Sequence, residues 1–213
     1  MKSDDYGTDD ASQAHDYLLS LGDFAMRFAE VERAPRYVSG KRENDSEHSF
    51  HLALSAAELA TDYYPELDIG LVTQFSLVHD LPEIYSGDVW TIGISEENRS
   101  KKEEAEKVAN QKLVTELPPH IAQLLTRYEK QQEPEARFVR FVDKLMPDVI
   151  HIVDGDANSF KEDHKINDIE KLKEIHDIFG EKLQTMFPEF KFVHKIRKEI
   201  LETFKKRVFK DKQ

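Results

Sequence analysis

Apolar side chains recur at helical spacing along most of this chain, and no stretch alternates apolar and polar positions between turn residues as paired strands do. Ala14, Leu18, Leu21, Ala25 and Phe28 predict a helix from about Ala11 to Val31, followed by a loop holding Pro35 and Gly40. Asp45 and Ser46 are good helix caps, and the segment after them carries His48, Leu52, Leu54, Ala56, Leu59 and Ala60 as a helix up to Pro65. Asp68 caps a third helix, Ile69 to about His79, which is apolar nearly all round and therefore expected to be central. Gly87 and Asp88 mark a turn.

Residues 96–116 predict a charged helix with Ala105, Val108, Ala109 and Leu113 on one stripe. Pro118 and Pro119 end it, a short helix spans about Ile121 to Tyr128, and a single apolar helix covers Ala136 to Val153. The remainder predicts two or three surface helices and a basic end. These elements predict one all-α domain over residues 11–213, preceded by a flexible acidic tail at 1–10.

Composition changes the picture in two places. The formal net charge of -12 repels polyanions, which argues against duplex nucleic acid or an anionic membrane as a partner. A small phosphorylated substrate stays compatible, because a metal ion and a few cations reverse the field locally. The chain has no cysteine, so a metal site would be built from nitrogen and oxygen alone. The opening MKSDDYGTDD has no apolar core of a signal peptide, and no stretch reaches the ~20 apolar residues that span a bilayer. A cytoplasmic protein is expected.

The chemistry lies in polar residues placed where the pattern calls for apolar ones. Asp143 sits inside FVRFVDKLMPDVIHI, where a carboxylate is costly unless paired or bound to a metal. His79 and Asp80 end the apolar run FSLVHD, and His48 opens the second helix. Two imidazoles and two carboxylates converging in a helical core would form a partial octahedron with room for water and a phosphate oxygen. His51, one turn from His48, is expected to pack or to hydrogen-bond behind the ligands. Glu83 lies four residues after His79 and would share its face if the helix continued; Pro82 either breaks that helix or kinks it toward the site.

In the order Ser46-Glu47-His48-Ser49, then VHDLPEIYSGD (78–88), then VDK (142–144), with Arg33 upstream, the chain resembles the HD-domain superfamily of metal-dependent phosphohydrolases, and within it the 5′-deoxynucleotidase group. The resemblance covers roughly residues 15–155 and leaves the C-terminal helices, 156–213, unassigned. It implies an all-helical HD bundle, commonly dimeric. It implies one divalent ion (Mn, Co, Zn, Ni, Fe or Mg) on His48, His79, Asp80 and Asp143. It implies acid/base work at Glu83 and nucleotide contacts from Arg33 and Asp88; Asp80 is a further catalytic candidate and Thr91 a further substrate-binding one. Ala34 and Trp90 stand where that group has tryptophan and proline, so base and sugar preference are not implied.

The expected activity is release of phosphate from a (deoxy)nucleoside 5′-monophosphate. Arg33 is the cation expected to meet the phosphate; Lys144 and the pair Lys41-Arg42 are weighed against ordinary surface charge. Two alternatives stay open: an HD hydrolase of a triphosphate, alarmone or cyclic nucleotide, and a non-catalytic helical module braced by metal.

Overall fold

Asn44 sets the frame of the second helix. Its Oδ1 accepts from the Glu47 amide at 2.9 Å, and Glu47 Oε2 accepts in return from the Asn44 amide at 3.1 Å. The cap is thus Asn44, not Asp45 or Ser46 as predicted, and helix α2 runs Asp45–Tyr63. The computed structural model describes residues 7–88, 96–154 and 169–208. Helix α1, Thr8–Ala29, starts three residues before the predicted Ala11, with Asp9 and Asp10 favouring its positive N-terminal end.

Between α1 and α2 the predicted loop is an antiparallel hairpin of β1, Glu32–Arg36, and β2, Arg42–Asn44. Gly40, at φ 81°, turns the chain and donates its N–H to the Tyr37 carbonyl at 2.7 Å. β1 advances from Glu32 to Arg36 while its partner advances only from Asn44 to Arg42, so β1 bulges. The inward positions, Arg33, Pro35 and Glu43, are not the β-branched residues that announce a strand.

Helix α3, Ile69–Val78, is capped by Asp68 as predicted and lies against α2. Val72, Phe75 and Ser76 are buried while Leu77 is about half exposed, so one face of α3, not its whole circumference, meets the core. It stops before His79. Pro82 then opens the four-residue helix α4, Glu83–Ser86.

Helix α5, Glu96–Glu116, matches its predicted span, but of the stripe only Ala109 and Leu113 are buried. α6 is Pro119–Lys130. The expected single helix from Ala136 to Val153 is two: α7, Pro134–Asp143, and α8, Met146–Asp154. Pro147 lacks an amide hydrogen and its ring would strike the Asp143 carbonyl, which accounts for the break.

Helices α9, Ile169–Met186, and α10, Lys191–Val208, are more than surface elements. Leu183 of α9, Val193 of α10, and Phe187 and Phe190 between the two join Phe28, Leu52, Phe75, Leu125, Phe138 and Phe141 in one core. Tyr64, just past α2, ties them in: its hydroxyl oxygen accepts from the Phe192 and Val193 amides at 3.2 and 3.3 Å, at the start of α10. The architecture is an all-α bundle with one small hairpin. Among the described residues, no helix is long and apolar enough to cross a membrane.

Candidate metal centre

His48, His79, Asp80 and Asp143 come together. Each offers one ligand atom, and these four atoms lie within 4.8 Å of one another. The capped first turn of α2 delivers His48, whose Nε2 is 3.0 Å from Asp143 Oδ1. Asp143 is the last residue of α7, so the break at Pro147 is what leaves its carboxylate at a helix end. His79 and Asp80 occupy the turn between α3 and α4, with His79 Nε2 2.9 Å from Asp80 Oδ2.

The imidazole tautomers suit ligation. His79 Nδ1 faces the Ser76 carbonyl at 2.9 Å and donates its hydrogen there, which turns the Nε2 lone pair inward. That Nε2 is buried and, despite the short distance to Asp80, has no hydrogen-bond partner of good geometry. Two nitrogens and two carboxylate oxygens fit a divalent transition ion, and the orphaned Nε2 is the atom a ligand role would satisfy.

The charges around the centre shape one another. Burial alone would raise the Asp80 carboxyl, but His79 and Arg33 outweigh it and hold it well below the usual range. Burial opposes Asp143 in the same way, and Lys144, with its Nζ 2.7 Å from Asp143 Oδ2, leads the groups that keep it ionised. Burial and then Arg33 push His48 down to about 4, which keeps it neutral. His79 goes the other way, up to about 10: burial works against its charge, but Asp80 and Asp143 more than compensate. Protons and a metal therefore compete for His79 Nε2.

Glu83 enters this group from α4. Pro82 breaks the α3 helix, and the new turn points Glu83 inward, where it is buried. Burial first, then the charges of Asp80, Asp88 and Asp45, push its carboxyl far above the usual range despite Arg33 3.8 Å away. That environment favours the neutral acid over the carboxylate.

The HD-domain family model matches residues 27–187. The chain belongs to the HD-domain family. The HD-domain match runs to the end of α9, beyond the stretch around residue 155 where the motifs end. The chain is 30% identical over 132 residues to the 5′-deoxynucleotidase HDDC2 of Homo sapiens, covering 59% of this chain and 63% of that relative's length. In fold it is similar to a predicted metal-dependent phosphohydrolase from Magnetospirillum magnetotacticum MS-1, with a TM-score of 0.69 and 24% identity over 90% of this chain and 94% of that one. It is also similar in fold to a Pyrococcus horikoshii OT3 protein, at 0.54 and 20%, covering 85% of this chain and 98% of that one.

Other residues expected at this HD centre fall into place unevenly. Arg33 is there, its Nη1 2.9 Å from Asp80 and 3.0 Å from Asp45. Asp88 follows Gly87, whose φ of 69° turns the chain, and its charge is felt at both Arg33 and Glu83. Thr91 and Trp90 lie outside the described residues. His51 is half-buried on α2 and is not part of the four-residue group. Lys41 is spent on Glu47, and Arg42 on the backbone carbonyls of Arg33 and Ala34.

Two acidic residues at the centre escaped the sequence pattern. Asp45, fully buried, has the look of a cap in the sequence; with Asp80 and Glu83 it instead forms an oxygen cluster within 4.8 Å. Glu43, 1% exposed, sits in a segment read as loop. The stretch Arg42-Glu43-Asn44-Asp45 is polar at every position, so no apolar alternation marks which of its residues face inward.

Proposed function

We propose that this HD-domain protein is a metal-dependent phosphohydrolase that releases phosphate from (deoxy)nucleoside 5′-monophosphates. The observation that carries the reading is the group His48, His79, Asp80 and Asp143 gathered with Glu83 buried beside Asp80. The name of the human relative supports a nucleotide substrate.

A divalent ion held by these four residues would supply a Lewis acid for phosphate charge and a water acidic enough to attack phosphorus. Glu83, carrying its proton, is placed to give it to the departing 5′-oxygen as the phosphorus–oxygen bond breaks. Arg33 puts a fixed positive charge against Asp80, which tempers the repulsion between these carboxylates and an incoming phosphate. Arg33, Asp88 and Thr91 are the proposed substrate contacts. A homodimer is part of the proposal; exposed Phe50 and Leu54, one turn apart on α2, are apolar surface that a second copy would cover.

The test is a panel of ribo- and deoxynucleoside mono-, di- and triphosphates on metal-reconstituted protein, reading phosphate against pyrophosphate. Phosphate released from monophosphates is the expected result, and Glu83→Gln should keep the metal while turnover falls by ~10²–10⁴. Pyrophosphate from triphosphates, or a fully active Glu83→Gln, would overturn the substrate or the acid respectively.

A further inference from the structure

Of the two candidate imidazole ligands, only His79 has its rear nitrogen closed off by a backbone carbonyl. Behind His48 the hairpin places a carboxylate instead. Glu43, on β2, brings Oε2 to 3.7 Å from His48 Nδ1 and 3.6 Å from Arg33 Nε. All three side chains are buried, and His48 Nδ1, Arg33 Nε and Glu43 Oε1 make no hydrogen bond. Two donors and one acceptor group, enclosed together and within a few tenths of an ångström of contact, are complementary. Burying a carboxylate so completely is costly without a task.

We propose that Glu43 is a positioning residue: it takes the His48 Nδ1 hydrogen, fixes the tautomer that leaves Nε2 facing Asp143, and anchors Arg33 through the same carboxylate. The inference rests on reading His48 as a metal ligand. The bulged hairpin is then a part of the centre, because it is the element that carries both Arg33 and Glu43 to the back of that imidazole. A carboxylate behind a ligating histidine also makes the ring a stronger donor than a carbonyl does.

The experiment titrates chelator-stripped protein with Mn alone, in wild type, Glu43→Gln and Glu43→Ala, with circular dichroism to confirm folding. Glu43→Ala should weaken Mn binding by ~10–100-fold, and Glu43→Gln, which keeps an acceptor, should recover part of the loss. In nitrogen-15 spectra the His48 Nδ1 hydrogen should vanish into exchange in Glu43→Ala while that of His79 persists. Unchanged Mn affinity in Glu43→Ala, equal losses in both variants, or a wild type that takes up no Mn overturns the proposal. A wild type that binds Mn but hydrolyses nothing overturns the phosphohydrolase reading and leaves this one standing.

Discussion

His48 Nε2 and Asp143 Oδ1 stand 3.0 Å apart although 95 residues separate them. One comes from the first turn of a capped helix and the other from the last residue of a helix stopped by proline. Neither side chain could satisfy its burial alone, and Asp143 is met in addition by His79 Nε2 at 3.8 Å and by Lys144 Nζ at 2.7 Å.

Metal should stabilise the fold through this pair and its neighbours. At a free Mn concentration of about 100 times Kd the folded state gains ~2.7 kcal/mol, and chelation should reverse the rise in Tm. Asp80→Ala is expected to lose both the shift and hydrolysis. Calorimetric titration in buffers of different ionisation enthalpy should also show proton release on binding, because His79 must give up its Nε2 proton. A Tm that ignores metal and chelator alike would show that the four residues hold no ion.

Arg33 should matter to folding as well as to substrate. It faces Glu43, Asp45, Asp80 and Glu83. Arg33→Ala strands Asp45 and Glu43 in the interior, and the expected loss is ~3–5 kcal/mol in a denaturant melt. Arg33→Lys should recover only part, since a single ammonium does not span the positions that the planar guanidinium reaches. If Arg33→Ala melts like wild type and only KM rises, the residue serves substrate alone.

Asp148, buried on α8 beside Arg197 and His176, should give the protein a pH-dependent weakness. Burial pushes its carboxyl up to about 7, from 3.8 when free. Between those values the folded protein keeps the proton that the unfolded chain releases, so stability falls as pH rises through the window. Asp148→Asn has no such group and should gain on wild type by up to ~1.4 kcal/mol per pH unit across it. His176, pushed down to about 4 by burial and then by Arg197, slopes the other way but is common to both chains. Paired urea melts near pH 5 and near pH 8 measure the difference; parallel curves would show Asp148 ionised throughout.

Residue periodicity carried most of the helical architecture, because a face that must be buried is written into the sequence every three or four positions. The same rule exposed Asp143, His79 and Asp80 as anomalies: a charge inside an apolar run needs a partner, and the run itself is local. The sequence by itself therefore determined most of the helices and which of their polar residues demand company, while the break between α7 and α8 and the short α4 came from the structure. Tertiary structure alone decided the rest. It put His48 against Asp143, turned Glu83 inward after Pro82, and made one hairpin out of a stretch whose buried positions are an arginine, a proline and a glutamate. It also cast Asp45, which reads as a cap, as an ion partner of Arg33. These are relations between side chains distant in sequence, set by packing and by the electrostatic field of the assembled core, and no local pattern encodes them.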